Sequence, residues 1–128
     1  MTKLLLVDTD VLIDYFREQP QAVGYIEGLT IPFLISAVTI AELYSGVREG
    51  EERKALDVFI TTFGAVAVDE EIAAKGGLHR RDYRKSHNIA LPDALIAATA
   101  EVTGATLVTL NNKHFPMLKN VIVPYVKS

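Results

Sequence analysis

At 128 residues and 49% hydrophobic content, the chain can bury about two-thirds of its unfolded surface in one core, and it reads as a single domain over residues 1–128. The absence of cysteine excludes disulfides and thiolate metal sites and fits a reducing cytoplasm, while no apolar run approaches the ~18 residues of a membrane span and residues 4–7 are too short for a signal-peptide core. A formal net charge of −3 excludes a generally basic nucleic-acid surface, so a polyanion partner would have to meet a local stripe or a cation-neutralised site.

Leu4-Leu5-Leu6-Val7 predicts a short strand buried on both faces of a parallel sheet. It stops at Asp8-Thr9-Asp10, which places a carboxylate at the strand's carboxyl end, the edge where open α/β sheets bind ligands. Thr9 or Asp10 is then expected to cap a helix carrying Val11, Leu12, Tyr15 and Phe16. Pro20 suits the first turn of a second helix with Val23, Ile26 and Leu29. Phe33-Leu34-Ile35 reads as a second strand, Ser36 to Tyr44 as a helix ended by Gly46, and Glu51 to Phe63 as a helix closed by Gly64.

Val66-Ala67-Val68 is expected to form a third strand. The following helix begins at Glu70-Glu71, whose charges complement its amino-terminal dipole, and Gly76-Gly77 predicts a kink or interruption within it. Pro92-Asp93 starts the most apolar helix, through Val102, with Gly104 as its stop. Residues 106–109 and 121–123 complete the strands. Strands alternating with helices, without hairpin signals, predict an α/β domain with a central, mainly parallel sheet of four to five strands and helices on both faces.

Three acids occupy equivalent places: Asp8 at the end of the first strand, Glu42 on the helix after the second, and Asp93 at the start of the helix before residues 106–109. Each has an ordinary reading. Asp8 can cap a helix, Thr39 and Glu42 have capping-box spacing, and Asp93 is a common first-turn acid. Taken together they define a carboxylate pocket. Oxygen-only ligands favour Mg²⁺ or Mn²⁺ over zinc, and an ion there would activate water against a phosphodiester. His114 is too isolated to suggest a zinc set.

Four segments carry a resemblance: Leu-Val-Asp8-Thr9-Asp10-Val-Leu-Ile-Asp14, Ser36-Ala-Val-Thr39-Ile-Ala-Glu42-Leu-Tyr-Ser-Gly46, Leu91-Pro92-Asp93-Ala-Leu-Ile-Ala-Ala, and Leu107-Val-Thr109-Leu-Asn111-Asn-Lys-His114-Phe115. In that order they resemble the PIN-domain nucleases, and among these the VapC-type toxins of toxin–antitoxin pairs. The resemblance implies a PIN-like three-layer α/β/α fold and Mg²⁺- or Mn²⁺-dependent endonucleolytic cleavage of RNA, with tRNA or another structured RNA as substrate. It also implies a VapB-like antitoxin and homodimerisation. It makes Asp8, Glu42 and Asp93 the metal ligands and Asn111 a fourth catalytic position, with Thr9 and Thr109 orienting the acids or the attacking water. Many family members carry an aspartate where this chain offers Asn111 and His114, which implies a single-ion site.

Arg80, Arg81, Arg84, Lys85 and His87 form a basic stripe, read either as a solvated helix face or as a phosphate track for RNA. Asp10 and Asp14 are expected to be outer or surface acids without a catalytic role. From the residues alone, the opening segment also resembles the nucleophile strand of haloacid-dehalogenase-type phosphohydrolases, with Asp8 attacking phosphorus and Asp10 as acid/base. A non-catalytic domain binding RNA or a partner is the remaining alternative.

Overall fold

The computed structural model describes residues 3–127; Met1, Thr2 and Ser128, the ends of the expected 1–128 domain, lie outside the described residues. Strand β1 (Leu5–Val7) is buried throughout and is followed by helices α1 (Thr9–Phe16) and α2 (Pro20–Glu27). Then come β2 (Phe33–Leu34), α3 (Ala37–Ser45), α4 (Glu51–Phe63), α5 (Glu70–His87), α6 (Leu91–Thr103), β3 (Thr106–Val108) and, after a 3₁₀ turn at Asn112–His114, β4 (Val121–Ile122). The four strands are all parallel, in the order β2-β1-β3-β4.

Alternation along so short a strand is enough to build two cores. Leu5 and Val7 face one side, with Val11 and Leu12 of α1, Ile26 of α2, Leu43 of α3, and Leu56 and Phe59 of α4. Leu6 faces the other, with Leu107, Ile96, Ala97, Ala100 and Phe115. Each such buried side chain contributes about 1.5–3 kcal/mol relative to exposure, so β1 needs only three residues to anchor both layers. The expected three-layer α/β/α arrangement is the one found, with α5 packed outside α6.

Residues 66–68 do not form the expected strand. The segment makes one parallel bridge, Ser36 to Val66, with Val66 N donating to Ile35 O at 2.8 Å and Ala37 N donating to Val66 O at 2.9 Å. The chain beyond β2 turns at once into α3, leaving no extended partner on which a ladder could continue. Of the kink or interruption expected at Gly76-Gly77, the interruption is absent: α5 runs unbroken for 18 residues. A Cβ on Gly76 would lie 2.6 Å from Leu95 Cδ2 and 3.1 Å from Leu95 Cα. The glycine therefore lets α5 approach the α6 backbone, and His79 pairs with Glu101 across the same seam.

Asp14 is not a surface acid. It is 5% exposed and accepts a hydrogen bond from Tyr125 Oη at 2.9 Å and an ion pair from Lys127 at 3.0 Å. The segment after β4 is thereby fastened to α1. No helix among the described residues is long and apolar enough to cross a membrane.

Candidate metal and nuclease site

The site begins where β1 ends. Because β1 and β3 pair in parallel with Val7 opposite Val108, the next residues, Asp8 and Thr109, emerge side by side at the carboxyl edge. Asp8, rather than Thr9 or Asp10, is the cap of α1: its backbone is extended and its Oδ1 accepts from Thr9 N at 2.8 Å. Strand and helix share this residue with no loop between them, which leaves the carboxylate little freedom.

Thr109 completes the fixation. Its hydroxyl lies 2.7 Å from Asp8 Oδ2 and 3.2 Å from Asp10 Oδ2, and with a single proton it donates chiefly to the nearer oxygen. Asp10 is held by the backbone on both oxygens, Oδ1 accepting from Val11 N at 2.7 Å and Oδ2 from Leu110 N at 3.0 Å. It is thus a strap between the first turn of α1 and the chain leaving β3.

Glu42 reaches the same edge from α3. The cap of α3 is Ser36, whose Oγ accepts from Val38 N at 3.0 Å, so Thr39 lies inside the helix and the capping-box reading of Thr39 and Glu42 does not apply. Thr39 is fully buried. The Thr9 hydroxyl lies 2.7 Å from Glu42 Oε1 and 2.9 Å from Thr39 Oγ1; donating to the carboxylate, it accepts from Thr39. A cleft of about 430 Å³ opens beside Glu42, lined also by Arg17, Arg48 and Glu52.

Asp93 enters from the first turn of α6, where Ala90 provides no side-chain cap. Its Oδ2 is 3.1 Å from His114 Nδ1, a contact with no signal in the residue pattern because it depends on the 3₁₀ turn at Asn112–His114. Asn111 is tied in only through its backbone, its N donating to Thr109 Oγ1 at 3.1 Å, and its side chain is exposed. Asp8, Asp10 and Thr109 are therefore brought into direct contact, Glu42 joins through Thr9, Asp93 stands across from them, and the Asn111 amide does not touch the acids.

The electrostatics follow from burial without neutralisation. Among the described residues no Lys or Arg lies within ion-pairing distance of Asp8, Asp10, Glu42 or Asp93. Burial, then the charge of Asp10, raises the Asp8 carboxyl to about 7, against the pull of the Thr109 hydroxyl and the Thr9 N–H and with a further push from Asp93. Burial also raises Asp10, opposed by its backbone donors, and raises Asp93, opposed by His114. Among the described residues no three Asp, Glu or His side chains are grouped closely enough to hold a metal ion between them. Mg²⁺ does not require such a group, since it keeps several waters and is held by one or two carboxylates together with substrate phosphate. Buried, hydroxyl-oriented carboxylates lacking a protein cation fit such an ion.

A family model described as the PIN domain matches residues 5–119. The chain belongs to the PIN-domain family. Ribonuclease VapC10 of Mycobacterium tuberculosis is 40% identical to it over 125 residues, covering 95% of this chain and 93% of the relative. Ribonuclease VapC1 of Methanocaldococcus jannaschii is 34% identical over 116 residues, covering 90% and 81%. Among solved structures, a toxin–antitoxin complex from Klebsiella pneumoniae superposes with a TM-score of 0.83 at 28% identity, covering 96% of this PIN domain and 99% of that chain. The resemblance read from the four sequence segments is thus to the family found.

Proposed function

We propose that this PIN domain is a divalent-cation-dependent endoribonuclease that acts as the toxin of a toxin–antitoxin pair. The observation that carries this reading is the Asp8 carboxylate, buried at the sheet edge, crowded by Asp10 and Asp93 and lacking a protein cation. Its similarity to ribonucleases of the VapC group supports RNA as the substrate, with tRNA or another structured RNA as the class.

Asp8, Glu42 and Asp93 are the residues proposed to hold one Mg²⁺ or Mn²⁺. When bound, such an ion supplies an acidified water and neutralises charge on the phosphodiester. The chain's own groups do the positioning: Thr109 fixes Asp8, Thr9 fixes Glu42, and His114 holds Asp93. The exposed Asn111 is proposed to hydrogen-bond the substrate through its neutral amide. A neutral side chain in that place supports one ion rather than two.

The phosphohydrolase alternative draws less support, because Asp10 would have to act as acid/base while both its oxygens already accept from backbone N–H groups. A VapB-like antitoxin is the proposed protein partner, supported by the toxin–antitoxin complex among the structural neighbours. An apolar trough of about 900 Å³ between α1–α2 and α4 offers it a surface, including Val58 at 66% and Phe63 at 44% exposure. We also infer a homodimer as the working form, and a cytoplasmic location.

The test is cleavage of a structured RNA by purified protein. Activity is expected to vanish with a chelator, return with Mg²⁺ or Mn²⁺, and fall by about 10²–10³-fold in Asp93→Asn, the scale of losing one preorganised electrostatic group. Folding is monitored by circular dichroism. Undiminished cleavage by folded Asp93→Asn would overturn the site.

A further inference from the structure

The α5 helix carries a charged group that the carboxylate site leaves unexplained. Arg80 Nη1 is fully buried and has no hydrogen-bond partner among the described residues. Buried guanidinium nitrogens are ordinarily paired, because taking their charge out of water is unfavourable unless an acceptor replaces the lost hydration. Arg84, Lys85 and His87, in the last turn of α5, complement the helix dipole. Arg80 lies too far from that end to do so.

Its surroundings concentrate the same charge. Gly77, Arg80, Arg81 and Arg84 recur at three- and four-residue spacing and line one cavity of about 470 Å³ with Leu91. Arg81 is tied to its neighbour Asp82 at 2.8 Å. Among the described residues neither Arg80 nor Arg84 has a carboxylate within ion-pairing distance. Like charges four residues apart repel, so a folded chain that keeps both without an acid has room there for an anion. Leu91, on the cavity wall, is the first residue of α6, in the same helical turn as Asp93. The cation-lined cavity therefore lies at the amino-terminal end of α6, the end of that helix that also carries Asp93. On a chain of net charge −3, this is a local positive feature at the amino-terminal end of α6.

We propose that Arg80 and Arg84 form a phosphate subsite that grips the RNA backbone beside the phosphodiester held at the acid pocket. The proposal rests on the ribonuclease reading and adds to it the residues that bind the substrate outside the reacting group. Guanidinium groups suit the role because their planar donors match phosphate oxygens, and Gly77 leaves the cavity floor open, with nothing within 4 Å of the place its Cβ would occupy. Such a contact gives register and affinity without base specificity.

The experiment is RNA binding followed by fluorescence anisotropy across a series of NaCl concentrations, in chelator so that the strand stays intact. It compares the wild type with Arg80→Gln, Arg84→Gln, Arg80→Lys and Arg53→Gln. Arg53 serves as the control, being an exposed cation already paired with Glu49 and Asp57. Arg80→Gln and Arg84→Gln are each expected to weaken binding several-fold and to reduce the slope of log K against log [salt] by about 0.7–1, the value for one lost phosphate contact. Arg80→Lys keeps the slope while losing part of the affinity, and Arg53→Gln changes neither. With Mg²⁺ and a long RNA, Arg84→Gln raises KM and leaves kcat near that of the wild type. Because Arg84 is exposed, this variant keeps the test decisive if Arg80→Gln folds poorly. A wild type that binds and cleaves RNA, with slopes unchanged in Arg80→Gln and Arg84→Gln, overturns the subsite and leaves the ribonuclease reading standing. Variants that lose an acidic protein partner while keeping RNA binding also overturn it. A wild type that neither binds nor cleaves RNA overturns both.

Discussion

On the β1–β3 side of the site the chain itself satisfies each carboxylate, whereas on the α5–α6 side charged groups are left waiting. Asp8 and Asp10 receive hydrogen bonds from Thr9 N, Thr109 Oγ1, Val11 N and Leu110 N, all between 2.7 and 3.2 Å. Among the described residues Asp93 has one hydrogen-bond partner, His114, and Arg80 Nη1 has none. The first region is a rigid platform joining residues about a hundred positions apart; the second is a helix pair that joins His79 to Glu101 across its seam but leaves Arg80 without an acid among the described residues. Position is secured where backbone donors reach the acids. Charge balance is not secured on either side, and the two deficits have opposite sign.

The sharpest way to test the platform is to titrate it. Asp8 is raised from 3.8 to about 7 in the folded protein. Between those values the folded chain holds more protons than the unfolded chain, so unfolding free energy falls as pH rises from about 4 to about 7 and levels off above. At about 1.4 kcal/mol per unit, the span is on the order of 4 kcal/mol at most. Urea denaturation in chelator, wild type against Asp8→Asn, isolates this contribution. The difference should favour Asp8→Asn increasingly with pH, since asparagine caps α1 as well as aspartate does. Mg²⁺ should raise the wild-type melting temperature more at about pH 8 than at about pH 5, because the ion competes with protons for the carboxylates. A wild type that gains stability relative to Asp8→Asn across the window would break the contrast on the platform side.

The helix-pair side is tested by a substitution that separates α5 from α6. In Gly76→Ala the new Cβ meets the backbone Cα of Leu95 at 3.1 Å as well as its side chain at 2.6 Å. A side chain can rotate away but a backbone atom cannot, so α5 must move. The expected loss is about 1–3 kcal/mol, the range for overpacking, read as a lower urea midpoint with an unchanged slope. The platform hydrogen bonds lie elsewhere, so the pH dependence assigned to Asp8 should survive. If it disappears, the two regions are one mechanical unit.

What could be read from the residues divides along the same line. Leu4 to Val7, the helix from Glu51 to Phe63 and the Pro92–Gly104 segment were legible because burial, caps and stops are local signals, and Asp8 could be placed at a strand end for the same reason. The order β2-β1-β3-β4 was not, since nothing local says which strands pair. Residues 66–68 have strand composition, yet the partner needed for a ladder is consumed by α3. Asp14 read as an outer or surface acid because Tyr125 and Lys127, its partners, lie more than a hundred residues away. The Asp93–His114 contact and the orphaned Arg80 nitrogen likewise arise only after a turn and a helix seam have been built. Glycine at 76 gave the right kind of warning for the wrong reason: a missing side chain can mean close approach as readily as flexibility.

The neighbouring glycine distinguishes those two meanings with the smallest expected effect. Gly77 lies in the same uninterrupted helix, but nothing stands within 4 Å of where its Cβ would be. Gly77→Ala therefore keeps the α5–α6 seam and removes backbone freedom from the unfolded chain, which stabilises a helix interior by about 0.5–1 kcal/mol. The two adjacent substitutions should shift the urea midpoint in opposite directions, with the Gly77→Ala gain independent of pH because no titrating group is touched. If Gly77→Ala destabilises instead, α5 bends in solution at this point, and the close packing at Gly76 no longer accounts for the glycine pair. If both variants are stabilised, the seam yields without cost, and the α5–α6 side is looser than the contact between Gly76 and Leu95 requires.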